Sequence, residues 1–125
     1  MFRFLGKSFD IDKAWELINK NPEKYYYDGE LATISIDEIV KLFGGVISDD
    51  GKTKRVRMGV KIDIDYAMSI SDDQLNEPGI FVLDGEFHCL IDGWHRAYKK
   101  WKRGDTKMSI YVISDPKSLK YIKIP

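Results

Sequence analysis

Aspartate, histidine and arginine stand close together in the stretch LIDGWHRAYKKW, residues 90–101. An apolar run passes through Asp92-Gly93 into a segment whose charges repeat at helical spacing, so a strand is expected to hand over to a helix here. The first backbone N–H groups of a helix lack intrahelical partners, and with the positive end of the helix dipole they attract anions. Gly93 would let a ligand reach that backbone with no Cβ in the way. Arg96 supplies a planar fork matched to phosphate oxygens, and His95 can donate a hydrogen bond or carry charge near neutral pH. Lys99, Lys100 and Arg103 continue the Arg96 stripe at spacings of three, four and seven. Asp92 is placed to act as a base or to help hold a divalent cation. Such a junction suits phosphate binding and, with a base, phosphoryl transfer.

Each residue also has a structural reading. Asp92 can serve as an N-cap, a role worth about 0.5–2 kcal/mol. His95 can be an ordinary partly exposed histidine, and Trp94 can be core rather than a stacking platform for a base. Arg96 is harder to explain by stability, because a cation in the first turn opposes the dipole; either an anionic ligand or a carboxylate must lie near it. If it serves a ligand, Arg96→Ala should change folding stability by no more than about 0.5 kcal/mol. His88 and His95 lack metal-ligand spacing, so no metal ligands are assigned. The lone Cys89 permits no intrachain disulfide, and its strand-like alternation with Phe87 and Ile91 predicts a quiet thiol.

The elements that must position this junction are short. The 125 residues are 43% apolar, which fits one folded domain over 1–125 and excludes a disordered chain. A net charge of zero argues against a general polyanion binder. The balance conceals a segregation: residues 61–92 hold eight acids and one base, residues 93–107 six bases and one acid. These are either two solvated faces that attract each other or a site where an anionic ligand meets base while acids hold a cation. No stretch approaches a membrane span, and MFRFLGKSF is too short an apolar run for a signal peptide, so a soluble cytoplasmic protein is expected.

Asp10 caps an expected helix over 11–20, which Asn21-Pro22 ends. KYYYDGELATIS reads as two extended pieces around an Asp28-Gly29 turn, and Ser35 with Glu38 as the capping box of a short helix ended by Gly44-Gly45. A turn at Asp50-Gly51 leads into a strand through about Ile64, with Arg55 and Arg57 on one face and Val56 and Met58 on the other. That basic strand either guards a sheet edge or contacts nucleic acid. Ser71 with Gln74 marks another short helix, GIFVLDGEFHCLI a hairpin turning at Asp84-Gly85, KMSIYVIS a strand, and Asp115-Pro116 a last helical turn. Strands mixed with short helices make the fold class α+β, with a small mixed β-sheet.

CLIDGWHRAYKKWKRGDTKMSIYVIS resembles the central segment of the ParB/sulfiredoxin-like superfamily, where a strand ends in a short Asp/Gly-Gly-x-His/Arg-Arg-type motif before a helix and an apolar strand. ATISIDEIVKLFGG resembles that family's opening strand and short helix. The likeness covers roughly residues 31–114, with Asp92 to Arg96 as its specific part and Ala97 and Gly104 in support; about 1–30 would be an N-terminal helical extension. The superfamily includes ParB-type CTP-binding segregation proteins, sulfiredoxins, free-serine kinases and ParB-like nucleases. The resemblance implies that Gly93, His95 and Arg96 face the phosphates of ATP or CTP, with Asp92 at the pocket's edge. Trp94 stands where sulfiredoxin has its cysteine, so a sulfiredoxin-type reductase is not expected. Trp-His-Arg replaces ParB's arginine pair, so a DNA clamp is not expected either. The Asp-Gly-His-Thr-Arg type motif of the free-serine kinases is closer, although no second catalytic acid can be assigned.

Two functions follow. In one, the domain binds a nucleoside triphosphate with Mg²⁺ and acts as a phosphotransferase, hydrolase or ParB-like nuclease. Asp92 and His95 are then catalytic, while Gly93, Trp94, His95, Arg96 and Lys99 hold the nucleotide. In the other, the same pocket belongs to a non-catalytic binding or regulatory module that takes a phosphate-bearing ligand and acts through DNA or a protein partner. Neither involves a membrane.

Overall fold

The computed structural model describes residues 2–4, 7–42, 53–55, 61–85 and 87–125. In chain order the elements are strands β1 (Phe2–Phe4) and β2 (Lys7–Phe9), helix α1 (Ile11–Lys20), a 3-10 turn (Pro22–Tyr25), β3 (Ala32–Ser35), α2 (Ile36–Leu42), β4 (Thr53–Arg55) and β5 (Lys61–Asp63). Then follow α3 (Ile64–Ser69), α4 (Asp72–Leu75), β6 (Gly79–Asp84), β7 (Phe87–Asp92), α5 (Trp94–Lys102), β8 (Lys107–Ile113), α6 (Pro116–Ile122) and β9 (Lys123–Ile124).

The principal sheet has the order β3-β8-β6-β7. β8 runs antiparallel to β3 and parallel to β6, and β6 and β7 form the antiparallel hairpin expected around Gly85. A small mixed sheet with short helices is therefore an α+β fold. Along β8, Met108, Ile110 and Val112 are buried and alternate with half-buried Ser109 and Tyr111, the period of two that a strand imposes. Trp15 meets the Tyr111 ring edge-on at 6.0 Å, and Tyr26 stacks on it at 6.4 Å, which fixes α1 and the 3-10 turn against the sheet. Ile80, Val82, Leu90, Ala97, Tyr98 and Ile36 are fully buried. Burial of each large apolar side chain contributes about 1.5–3 kcal/mol, enough to dominate the weaker surface contacts.

Local signals set most boundaries. Asp10 accepts from the Lys13 amide at 3.0 Å, Ser71 from Gln74 at 3.3 Å and Asp115 from Ser118 at 3.0 Å, each capping its helix as expected. The strand expected through Ile64 is instead divided. Within the described residues β4 and β5 pair antiparallel, Lys54 opposite Ile62, and Asp63 caps α3 by accepting from Tyr66 at 3.0 Å. Ile64, Ala67 and Ile70 are buried at a spacing of three, a helical pattern that the β-branched IDID run masked. The expected Arg57, Val56 and Met58 faces, the Asp50-Gly51 turn and the Gly44-Gly45 helix end lie outside the described residues.

The N-terminal segment is not purely helical. β1 pairs with β2 and β2 with β9, all antiparallel, forming a second sheet. Phe9 is fully buried and stacks on Phe87 at 6.0 Å, so burial of one aromatic ring holds strands too short for periodicity to reveal. Among the described residues no helix is long and apolar enough to cross a membrane.

Backbones touch where β6 begins and β7 ends. A Cβ on Gly79 would lie 2.7 Å from the Asp92 carbonyl oxygen, and one on Gly93 would lie 3.1 Å from the Gly79 Cα. Neither obstacle is a mobile side chain. Gly79→Ala should therefore destabilise the fold by about 1–3 kcal/mol through overpacking, read as a lower urea midpoint. Gly104→Ala, at φ +89° in open space, should cost about 1–2 kcal/mol from backbone strain alone. A neutral Gly79→Ala would refute the close approach.

Candidate functional site

The Asp92–Arg96 junction sits where expected, at the end of β7 and the start of α5, but its groups face inward. Gly93, at φ 108°, is the N-cap, and no side chain caps the helix. The capping reading of Asp92 does not hold, because its carboxylate is turned toward other donors. Asp92 Oδ2 accepts from Trp15 Nε1 at 2.8 Å and lies 3.6 Å from Arg96 Nη2. The carboxylate that Arg96 requires in a helix's first turn is therefore Asp92, four residues before it. Arg96 Nη2 also donates to the Pro78 carbonyl at 3.1 Å. Gly93 is buried against Gly79, which accounts for the glycine without a ligand.

His95 docks α5 onto α3. Its Nε2 accepts from the Asp63 backbone N–H at 3.1 Å, which requires a neutral ring with its proton on Nδ1. Tyr66 packs edge-on against the ring at 5.0 Å. Burial pushes the His95 pKa down and Arg96 adds to that, while the carboxylates of Asp63 and Asp92 oppose it. Nε2 is thus not a donor to phosphate here. Trp94 is buried, its indole N–H on the Leu90 carbonyl, and the Lys99 ammonium donates to the Ile70 carbonyl. The described structure brings all five residues of the motif and Lys99 together, each occupied within the fold.

Arg96 also lines a cleft of 120 Å³ with Tyr66, Ile70, Gln74 and Glu77. That volume is below the roughly 300–1,000 Å³ of small-molecule sites, and the Glu77 carboxylate would repel a second anion. The basic stripe beyond it is paired as well: Arg103 with Asp105 at 2.7 Å and Asp72 at 3.7 Å, Lys100 with Asp105 at 3.7 Å. The acidic and basic segments meet at Arg103–Asp72 and Arg96–Asp92, while Asp105 pairs within the basic segment. Burial pushes the Cys89 thiol up to about 12, so it holds no thiolate at neutral pH.

A different site lies between α1 and α6. Lys13, Leu17, Lys24, Lys117, Ser118, Lys120, Tyr121 and Lys123 line a groove of 640 Å³. The two helices are joined by Tyr121 OH, which donates to Glu16 at 3.2 Å, and the buried Tyr25 OH···Ser118 Oγ hydrogen bond of 2.9 Å ties the 3-10 turn to α6. Lys24 lies 3.8 Å from Asp115, and Lys123 2.6 Å from Asp84. Lys13 rests over the Tyr121 ring at 5.1 Å. Among the described residues, Lys13, Lys117 and Lys120 have no carboxylate partner. Sequence reasoning missed this groove. The available signal was Lys117, Lys120 and Lys123 at steps of three in DPKSLKYIK; zero net charge averaged it away.

No protein-family model matches the chain, and no curated protein or solved structure matches it. The superfamily resemblance rests on the Asp92–Arg96 motif and the order of elements around it.

Two outcomes follow from the junction. Arg96→Ala should cost about 1.5–3 kcal/mol, the range for hydrogen bonds to charged groups, and not the near-neutral change expected from sequence. A urea midpoint within error of wild type would contradict this. His95 should make stability depend on pH. Its folded pKa lies below the unfolded 6.5, so its contribution is complete above 6.5 and is lost as pH falls through the folded value. Urea midpoints of wild type and His95→Gln, taken from about pH 8 to about pH 5, should diverge above that window and converge below it. Parallel curves would refute the assignment.

Proposed function

We propose that the protein is a binding module for phosphate-bearing ligands, nucleotide or nucleic acid, and that the ligand lies in the groove between α1 and α6. The observation that carries this reading is that Lys13, Lys117 and Lys120 line the groove with no carboxylate in ion-pair contact among the described residues, around Leu17 and a Tyr121 whose hydroxyl holds the Glu16 carboxylate. Neighbouring like charges weaken the free protein, and a multivalent anion removes that repulsion. The groove also has the volume of a ligand site and an apolar wall beside its cations. In the junction, by contrast, Asp92, His95, Arg96 and Lys99 have partners within the fold and act as framework. A regulatory role through a protein partner, and a cytoplasmic setting where such ligands abound, belong to the same proposal.

Thermal and urea denaturation with tripolyphosphate, ATP and CTP, each with and without Mg²⁺, tests it. A ligand at about 100 times its Kd should add about 2.7 kcal/mol. The double variant Lys117→Gln, Lys120→Gln should lose most of that gain while being at least as stable as wild type without ligand, since both side chains are exposed and their mutual repulsion is removed. If the gain survives this variant but disappears in Arg96→Lys, the ligand is at the junction and the site implied by the superfamily resemblance is the correct one. If no phosphate compound stabilises the protein at millimolar concentration, the proposal is wrong.

A further inference from the structure

We infer that the groove takes a single strand of nucleic acid and not a free nucleotide, an inference that rests on the groove's being the phosphate site. The cations do not form a closed cup. Lys117, Lys120 and Lys123 follow one another along α6 into β9 at steps of three, and such a row matches repeated phosphates better than one terminal cluster. The row continues past the groove. Lys120 and Lys123 also line a second cavity, of 340 Å³, on the side of Ser114 and Leu119. One face of α6 thus separates two depressions that share their lysines, a track longer than one nucleotide.

The walls supply the second half of the recognition. Leu17 and Tyr121 in the first cavity offer apolar surface beside the charges. Tyr121 is 41% exposed, and its OH is held by Glu16, so the ring is fixed in place. Single-strand sites combine a basic track for the backbone with fixed rings and apolar surface for unstacked bases. A duplex keeps its bases inside and is too wide to enter such a depression. Lys123 has Asp84 at 2.6 Å, and the lysine holds that carboxyl below the usual range. An arriving phosphate must share Lys123 with it, which places the strongest contacts at Lys117 and Lys120.

The test uses the full chain with fluorescent oligothymidylate of about ten nucleotides, within the site sizes of single-strand binders. Thymidine triphosphate, the matching duplex and polyglutamate serve as competitors. The oligonucleotide should bind at least tenfold more tightly than the triphosphate, and the duplex and polyglutamate should compete at least tenfold less well. Each phosphate contact should contribute about −0.7 to the slope of log affinity against log salt, giving roughly −2 for three lysines. Lys117→Gln with Lys120→Gln should weaken binding at least tenfold and reduce the slope by about 1.4. The charge-matched control Lys102→Gln with Lys107→Gln, outside the groove, should change affinity less than threefold.

Equal affinity for triphosphate and oligonucleotide would overturn the strand inference and leave the phosphate-binding proposal standing. Equal competition by duplex or polyglutamate would overturn it in favour of unselective charge attraction. Equal losses in the two double variants would remove the groove as the site. No binding by any phosphate compound would overturn the proposed function itself.

Discussion

Gly79 and Gly93 lie backbone against backbone, and this approach decides where α5 can start. The β6–β7 register shifts between Ile80 and Phe81, so that Ile80 pairs with Asp92 at the very end of the hairpin. From there the chain turns through the positive φ of Gly93 directly into the helix. The placement brings three polar side chains of α5 onto the segment just before the hairpin. His95 receives the Asp63 N–H, Arg96 reaches the Pro78 carbonyl, and Lys99 reaches the Ile70 carbonyl. Residues 64–78 contain two short helices, and backbone groups in and beside this segment are left without partners from regular structure. The side chains of α5 provide them. A larger residue at either glycine would move the helix outward and weaken all three bonds together.

The sequence conveyed elements whose signals are local and left hidden those that depend on distant packing. The caps at Asp10, Ser71 and Asp115, the hairpin at Gly85 and the alternation of β8 could be read because the deciding atoms lie within a few residues. β1, β2 and β9 could not, since two or three residues carry no usable period and their stability comes from Phe9 meeting Phe87. α3 was obscured by β propensity, which lost to a cap and a buried stripe. At the junction, residue types and element order were legible, but not the direction of each side chain. Trp15 is 77 positions from Asp92, and nothing near either residue announces their hydrogen bond. Dipole reasoning correctly required an anion beside Arg96; it could not choose between a ligand and the neighbouring carboxylate.

The two basic regions differ in how their charge is treated. Along α5, Arg96, Lys99, Lys100 and Arg103 each lie within reach of a carboxylate or a carbonyl. Along α6 and into β9 the lysines are exposed, and among the described residues Lys123 has a close carboxylate partner while Lys117 and Lys120 have none. Within a Debye length of about 8 Å at physiological salt, these charges raise the local potential even though the whole chain is neutral. Net charge describes the far field; a ligand entering the groove meets the near field.

The second sheet has a consequence for the order in which the chain folds. Phe9 pairs with Lys123 and Ser8 with Ile124, and the Asp10 N–H donates to the Ile122 carbonyl at 2.8 Å. These contacts close almost the longest loop the described chain allows, and closure entropy rises with loop length while few residues repay it. The hairpin of β6 and β7, closed by a short turn, meets no such barrier. During synthesis on a ribosome, β1 and β2 emerge long before β9 and have no third strand until it follows. The groove, whose lysines come from α1, the 3-10 turn, α6 and β9, is consequently assembled last, after the four-stranded sheet has formed.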